Sequence, residues 1–188
     1  MKKIYLMRHG QTLFNIMELN QGQCDSPLTE AGKQQALAAK KWYTDHHITF
    51  DSVYCSTAER ACDTTELITS QPYTRLKGLK EIFLGTKEAT SFDENPPYPY
   101  GDFFVKYGGE DLDEFTDRIH GTVKKIADED QGDTILVVSH GMAIQRFLTA
   151  ISYLKNVNEY LIIGNCGIIE LTYDNDTFTV DQIINVEQ

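Results

Sequence analysis

Basic residues are scarce in this chain of 188 residues, where 17 lysine and arginine residues stand against 28 aspartate and glutamate residues. The formal net charge is −11 at pH 7, and no lysine- or arginine-rich run interrupts the acidic excess. Nucleic acids and anionic membrane surfaces bind proteins through clustered positive charge. We therefore expect neither of them as a partner.

Long apolar runs are absent as well. The apolar stretch at the N-terminus ends at Arg8 and is too short for a signal peptide or a membrane span. Close-paired C-x-x-C spacing is also missing, and we expect the cysteines to be reduced and mostly structural: Cys24, Cys55, Cys62 and Cys166. These absences predict a soluble, cytoplasmic protein. They leave its oligomeric state open, a homodimer included.

The sequence does contain an alternation of short β-branched runs with longer helical patterns, which is typical of the α/β class. Apolar runs at residues 4–7, 52–55 and 134–139 predict three central parallel strands. The last of them shows no polar alternation and therefore suits a strand covered on both faces. We predict a single domain over residues 1–188, a three-layer sandwich with a mostly parallel central sheet and helices on both faces.

Helical patterns lie between these strands. Helices are predicted from residue 29 to about 44 and from residue 56 to about 70. The second opens with a Ser56-x-x-Glu59 capping box, which places Arg60 in the first helical turn. A third helix is predicted from an apolar stripe that covers the sheet: Leu112, Phe115, Ile119, Val123 and Ile126.

The C-terminal part of the sequence has the pattern of a hairpin. Two strand-like segments, at residues 168–173 and 177–184, are separated by the turn cluster Asp174-Asn175-Asp176. We therefore expect the chain to close with two antiparallel strands.

One segment, residues 86–109, is rich in both proline and aromatic side chains. It holds Pro96, Pro97 and Pro99 among the aromatic residues Tyr98, Tyr100, Phe103, Phe104 and Tyr107. Proline disfavours regular strand ladders, and aromatics at this density are rarely left in solvent. Two interpretations are open: a packed surface insertion, or a lid or side wall over a site.

The predicted strands end in basic or imidazole side chains. Arg8-His9-Gly10 follows the first strand, Arg60 comes shortly after the second, and Ser139-His140-Gly141 ends the third. Such ends converge on one crevice in an open α/β sheet, and the glycines allow a ligand or backbone to approach closely. Because the arginine fork matches a phosphoryl group, we predict an anion site. An internal salt bridge is the alternative explanation for this cluster.

Around these residues, most of the chain resembles the histidine phosphatase superfamily, in its phosphoglycerate-mutase-like branch. Five groups of residues carry the resemblance: Leu6-Met7-Arg8-His9-Gly10-Gln11-Thr12 with Asn15 and Asp25-Ser26-Pro27-Leu28-Thr29-Glu30-Ala31-Gly32; Tyr54-Cys55-Ser56 with Arg60-Ala61 and Thr64-Thr65-Glu66; Leu79-x-Glu81-Ile82 with Gly85; Gly108-Gly109-Glu110-Asp111; and Val138-Ser139-His140-Gly141.

The resemblance implies a role for individual residues. It implies that His9 is the nucleophile that becomes phosphorylated and that Glu81 is the proton donor. It also implies that Arg8, Arg60 and His140 bind the transferring phosphoryl group. Three further positions are implied to line the substrate pocket: Asn15, Gly22 and Gly141.

Side chains alone can supply the chemistry that these roles require. A neutral imidazole nitrogen can attack phosphorus, while positioned cations stabilise the charge on the phosphoryl oxygens. The sequence has no carboxylate cluster for magnesium and no cysteine and histidine set for zinc, so we expect neither a metal nor a cofactor. Some relatives carry an aspartate at the position of Gly141, and its absence here favours Glu81 as the general acid and, in the second step, the base.

Three functions remain open: a phosphomonoesterase, a phosphoglycerate mutase and a catalytically weak binding module. A mutase must retain a bisphosphate with extra cations, but residues 86–109 offer only Lys87 and Lys106 against four acidic side chains. A binding module has no need for both the nucleophile and the acid. We therefore favour hydrolysis of a small phosphorylated metabolite. Partly apolar esters such as nucleotides, and also sugar phosphates, remain open as its identity.

Overall fold

Six strands form one mixed sheet in the order β3-β2-β4-β1-β5-β6. The structure is a computed structural model that describes residues 1–154, 161 and 163–186. The first four strands pair in parallel, and the last two are antiparallel to their neighbours. The strands are β1 (Lys2–Arg8), β2 (Ser52–Ser56), β3 (Thr74–Leu76), β4 (Thr134–Ser139), β5 (Ile168–Asp174) and β6 (Thr177–Ile184).

Helices cover both faces of this sheet. They are α1 (Leu13–Ile16), α2 (Glu30–Asp45), α3 (Glu59–Ile68), α4 (Leu112–Glu129) and α5 (Gly141–Ala150). Alternate side chains of β4 enter different cores, with Ile135 and Val137 facing α4 and α5, and Leu136 and Val138 facing α2 and α3. The predicted three-layer α/β sandwich is therefore confirmed.

The apolar stripe on α4 is also confirmed. All five of its predicted residues are buried: Leu112, Phe115, Ile119, Val123 and Ile126. They pack with Ile144 and Phe147 of α5 in one core. Residues spaced in this way share one helix face, so the amphipathic pattern is sufficient to place α4 against the sheet.

The predicted capping box at the start of α3 is wrong. The helix begins at Glu59, with Ala58 at the N-cap and no capping side chain of its own. Ser56 instead ends β2, and its hydroxyl accepts a hydrogen bond from the Ala58 amide at 3.2 Å. The carboxylate of Asp25, from a distant loop, accepts the Glu59 amide at 2.5 Å. Arg60 does lie in the first helical turn, as predicted.

The C-terminal hairpin is confirmed. Strands β5 and β6 pair antiparallel, with an irregularity between Glu170 and Leu171. The turn places Asn175 and Asp176 at φ values of 47° and 63°, a region that asparagine and aspartate tolerate better than most residues. No helix in the described part of the chain is both long and apolar enough to cross a bilayer. All four cysteines are free thiols.

Residues 86–109 pack against the body of the domain without regular strands. Phe104 is buried, and Tyr100 and Phe103 contact the core beneath α4. The segment also joins the loop after α1, since Leu19 forms an isolated antiparallel bridge with Ser91. The segment is therefore packed against the domain, and its position beside the site is described below.

Candidate active site

The carboxyl ends of β1 and β4 place the two histidines side by side. Arg8 ends β1 in register with Ser139 at the end of β4, so His9 and His140 follow at the same sheet edge. Their ring centroids lie 5.2 Å apart, and both side chains are buried. His9 lines a cavity of about 170 Å³ together with Arg8, Arg60 and Glu81. His140 lies behind this lining.

Hydrogen bonds fix the orientation of the His9 ring. Its Nδ1 lies 2.7 Å from the carbonyl oxygen of Gly10, which can only accept, so Nδ1 carries the proton. Its Nε2 accepts a hydrogen bond from Nε of Arg60 at 3.2 Å. Burial, together with the positive charges of Arg60 and Arg8, holds the pKa of His9 well below its usual value. His9 is therefore a neutral imidazole with the lone pair of Nε2 directed at Arg60.

Arg60 is fully buried, and the loop before α2 supplies its acceptors. Its guanidinium donates to the carbonyl oxygens of Gly22 at 2.7 Å and Cys24 at 2.8 Å, and to Oδ1 of Asp25 at 3.1 Å. The internal salt bridge considered from the sequence is thus present, between Arg60 and Asp25. The same contacts hold the guanidinium against His9, so the salt bridge and the cationic site coexist.

The partner of His140 is Ser56, whose Oγ lies 2.7 Å from Nε2 of the ring. Its Nδ1 is buried and has no hydrogen-bond partner among the residues that the structure describes. Burial, followed by the charge of Arg60, lowers the pKa of His140 well below its usual value. Two neutral imidazoles therefore lie beside two arginines. An unpartnered buried ring nitrogen is costly to maintain.

Glu81 faces the cavity from the loop after β3. Its Oε1 accepts the amide of Ile82, and its Oε2 accepts the amide of Met142 in the first turn of α5, both at 3.0 Å. Burial raises the pKa of Glu81, although these two amides and the nearby arginines act in the opposite direction. The side chain is therefore suited to hold a proton at a higher pH than an exposed glutamate does.

Two pocket residues predicted from the resemblance also reach the cavity lining. Asn15 uses its Oδ1 to accept the Thr12 amide at 3.1 Å and the Asn165 side chain at 3.3 Å. Gly22 has a φ of +53°, and a Cβ there would lie 2.5 Å from Oε1 of Glu88, so the position requires glycine.

The glycines beside the two histidines have different surroundings. A Cβ on Gly10 would lie 2.5 Å from the carbonyl oxygen of Gly32, so this glycine permits close packing with the start of α2. Gly141 does line the cavity, and a Cβ there would lie 3.3 Å from Nε of Arg8. Of the two, only Gly141 offers backbone at the cavity surface.

Several residues that support the site were missed from the sequence. Asp25 and Ser56 lie inside recognised motifs but received no role, and both contact a predicted site residue. Glu88 accepts the amides of Gln23 at 2.6 Å and Cys24 at 2.8 Å. Local sequence patterns do not reveal this role of Glu88, because its partners are more than 60 residues away in the chain. Within the described residues, no group of three or more histidine, cysteine or carboxylate side chains is arranged to hold a metal ion.

Comparisons with known proteins identify the family of this chain. A family model described as "Histidine phosphatase superfamily (branch 1)" matches residues 4–186. The chain is 27% identical over 198 residues to the broad-specificity phosphatase YOR283W of Saccharomyces cerevisiae, covering 98% of this chain and 86% of that protein. It is 31% identical to a protein of Salmonella newport named "Probable phosphoglycerate mutase GpmB", covering 92% of this chain and 86% of that protein.

A solved structure extends the similarity to three dimensions. The phosphoserine phosphatase of Entamoeba histolytica, in complex with phosphoserine, superimposes with a TM-score of 0.83 at 25% identity, covering 97% of this chain and 96% of that chain. Family model, sequence relative and structural neighbour therefore agree over nearly all of the chain. The chain belongs to the histidine phosphatase superfamily, branch 1.

Proposed function

We propose that this chain is a metal-independent phosphomonoesterase that works through a phosphohistidine on His9. The observation that carries the proposal is the state of the His9 ring, which is buried, neutral and protonated on Nδ1. Nε2 is therefore the unprotonated, nucleophilic atom of the ring, and it lies against the guanidinium of Arg60. Relatives named as phosphatases support the same reaction.

In the first step, Nε2 of His9 attacks phosphorus in line, and the bond from phosphorus to the ester oxygen breaks. Glu81 gives its proton to the departing alkoxide, which leaves as an alcohol. A phosphoryl oxygen takes over the Nε donor of Arg60 from His9. Nδ1–H of His140 donates to another phosphoryl oxygen, while Nε2 of the same ring accepts from the hydroxyl of Ser56. These donors, with Arg8, balance the charge on the phosphoryl oxygens.

In the second step, the carboxylate of Glu81 takes a proton from water as the water oxygen attacks phosphorus. The bond from phosphorus to Nε2 breaks, inorganic phosphate leaves, and His9 returns to its neutral form. Glu81 is protonated again and ready for the next cycle. The raised pKa of Glu81 suits both halves, since the group must hold a proton in one step and accept one in the other.

The test is hydrolysis of 4-nitrophenyl phosphate by the wild type, His9→Ala and His46→Ala. His46 is an exposed histidine at the end of α2, so its variant controls for loss of a histidine as such. We expect His9→Ala to lose about a thousandfold or more in kcat/KM and His46→Ala to match the wild type. We expect full activity in excess chelator. A fully active His9→Ala enzyme would contradict the proposal, and so would chelator inhibition that magnesium reverses.

A mutase is the second candidate, because one relative is named as a probable phosphoglycerate mutase. Against it, Lys87 pairs with Glu94 at 2.7 Å, and Lys106 lies over the rings of Phe103 and Tyr107. Neither lysine lines the cavity, so neither is placed to hold a second phosphate. We expect 3-phosphoglycerate to yield phosphate or no product. Faster formation of 2-phosphoglycerate, primed by bisphosphoglycerate, would favour the mutase.

We also propose a cytoplasmic location. The support for it is the set of four cysteines, all of which are free thiols. Reduced thiols of this kind suit a reducing compartment.

A binding module on the same fold would show none of the expected turnover in the 4-nitrophenyl phosphate assay.

A further inference from the structure

Beyond the reacting groups, the described part of the cavity wall carries no charge of its own. Besides Arg8, His9, Arg60 and Glu81, the described residues that line the cavity are amides, glycines, apolar side chains and one phenol, Tyr100. None of them is a lysine, an arginine, an aspartate or another glutamate. A substrate that enters far enough to present its phosphoryl group to His9 must therefore bury its remaining atoms against a neutral surface.

Three of the four amide side chains in the described lining are committed to partners within the protein. Asn20 and Asn95 form a reciprocal pair, with Nδ2 to Oδ1 distances of 3.0 and 2.6 Å. Gln21 accepts from Thr12 and donates to Ser26, each at 3.0 Å. These groups act as a fixed polar frame. They do not compensate a charge that a ligand brings.

The rest of the wall is apolar. Phe92, Tyr100 and Phe104 reach it from residues 86–109, and Leu161 and Ile163 reach it from the chain before β5. Phe104 is 1% exposed, whereas Phe92 is 45% exposed at the surface. Burying an anionic group against such a wall removes its water without supplying a partner, and this is strongly unfavourable.

We propose that the substrate is a phosphomonoester of an uncharged alcohol with an apolar face, and that this neutral wall selects against a second anionic group. The inference rests on the proposed function and specifies which esters the same site accepts. The apolar face of the alcohol packs on Phe92 and Phe104. Carboxylated phosphoesters, such as phosphoserine and phosphoglycerate, are disfavoured because their carboxylate meets no cation on this wall.

Matched substrate pairs test the proposal. The first pair is phenyl phosphate and 4-carboxyphenyl phosphate, and the second is glycerol 1-phosphate and 3-phosphoglycerate. Within each pair the leaving oxygen is similar, and the main change is one carboxylate. We expect kcat/KM to be about tenfold or more higher for the uncharged member of each pair. Equal values, or preference for the carboxylated member, would overturn the proposal.

A charge variant separates charge from size. Phe92→Lys places a cation at the exposed rim of the wall, and we expect it to reduce the selectivity against the carboxylated ester by about tenfold. Phe92→Gln removes the ring without adding charge, so it should lower kcat/KM for both members of a pair and keep their ratio. Phe83→Lys adds the same charge at an exposed residue outside the cavity and should behave as the wild type. If Phe92→Gln or Phe83→Lys changes the selectivity as much as Phe92→Lys, the wall charge is not the determinant.

The outcomes distinguish this inference from the proposed function. Hydrolysis of every ester with unchanged rates in His9→Ala would refute the phosphohistidine mechanism. Hydrolysis that requires His9 but prefers carboxylated esters would refute only the selectivity of the wall. Circular dichroism of each variant establishes that it is folded before its selectivity is compared.

Discussion

Burial affects His9 and Glu81 in opposite directions. It lowers the pKa of His9, because the charged imidazolium is the form that loses water, and it raises the pKa of Glu81, because there the charged form is the carboxylate. In the proposed mechanism, these shifts favour the neutral form of the nucleophile and the protonated form of the acid. One physical cause therefore prepares both reacting groups.

This pairing predicts the pH dependence of the reaction. As the pH rises through the raised pKa of Glu81, the acid loses its proton, so kcat/KM for an alkyl phosphate should fall. Glu81→Gln should lower the rate of phosphoenzyme formation and abolish this fall. The measurement is single-turnover kinetics with glycerol phosphate and 4-nitrophenyl phosphate. Ionisation of the substrate is common to both enzymes, so the difference between their profiles isolates Glu81.

The penalty of Glu81→Gln should grow with the basicity of the leaving group. A nitrophenolate leaves with little protonation, whereas a glycerol alkoxide requires a proton. A defect of the same size for both substrates would mean that Glu81 is not the proton donor.

Arg60 supplies a second test at the level of one residue. Arg60→Lys should reduce kcat/KM by about a hundredfold or more, because an ammonium cannot donate to His9, two carbonyls and Asp25 in one plane. Arg75→Lys is the matched control, since Arg75 is a more exposed arginine that pairs with Glu59. A loss below about tenfold for Arg60→Lys would show that its fork geometry is dispensable.

At the level of elements, residues 86–109 support the loop that holds Arg60. Glu88 accepts the amides of Gln23 and Cys24, while the carbonyl oxygens of Gly22 and Cys24 face Arg60. The segment is therefore linked to the site through two layers of hydrogen bonds. Its residues Phe92, Tyr100 and Phe104 form part of the cavity wall. Its function as a lid stays a prediction.

A substitution at Glu88 tests this link. Glu88→Gln keeps the shape of the side chain but replaces the carboxylate with a carboxamide, which has a single acceptor oxygen. Only one of the two backbone N–H groups, of Gln23 and Cys24, therefore keeps a good partner. We expect kcat/KM to fall about tenfold to a hundredfold through loss of Arg60 positioning. Glu94→Gln, at an acid of the same segment that pairs with Lys87, should retain activity. Equal effects of the two substitutions would assign the loss to segment charge.

Sequence patterning predicts the elements well where the cause is local. The apolar run of β4 and the apolar stripe of α4 each follow from burial of one face or both faces of a single element. Both elements were therefore predicted correctly. The start of α3 was misplaced because its first amides are capped by Asp25 from a loop about 34 residues earlier. The role of Glu88 was missed for the same reason. Contacts between distant loops leave no periodic signal in a single sequence.

At the scale of the whole molecule, the chain maintains a cationic pocket inside a protein of net charge −11. Strands β1, β2 and β4 end at the same edge of the sheet, where the two histidines lie beside the arginines. Because both histidines are neutral, they do not repel the arginines. The arrangement has a consequence for stability, since the buried histidines take up protons less readily in the folded state than in the unfolded chain.

Stability should therefore fall in acid. The unfolded chain protonates His9 and His140 near their ordinary pKa of about 6.5, while the folded protein holds both pKa values well below it. The free energy of unfolding should be greatest above pH 6.5 and fall below it, by up to about 1.4 kcal/mol per pH unit for each histidine. Glu81 opposes this, because its raised pKa makes the folded state take up a proton before the unfolded state does.

Urea unfolding between pH 7.5 and 5.5, in buffer without phosphate, measures this dependence. His140→Gln removes one of the two titrating groups, so its stability should depend less steeply on pH than that of the wild type. Identical slopes for the two proteins would mean that His140 is protonated as readily in the folded state as in the unfolded chain.

In the proposed mechanism, phosphate is carried on His9 during turnover. Rapid quenching under basic conditions, followed by peptide mass spectrometry, locates the phosphate directly, since phosphohistidine is stable in base and labile in acid. We expect phosphate on the peptide that contains His9 within the first turnover and none in His9→Ala. Phosphate on His140, or steady release of inorganic phosphate without any phosphorylated peptide, would contradict it.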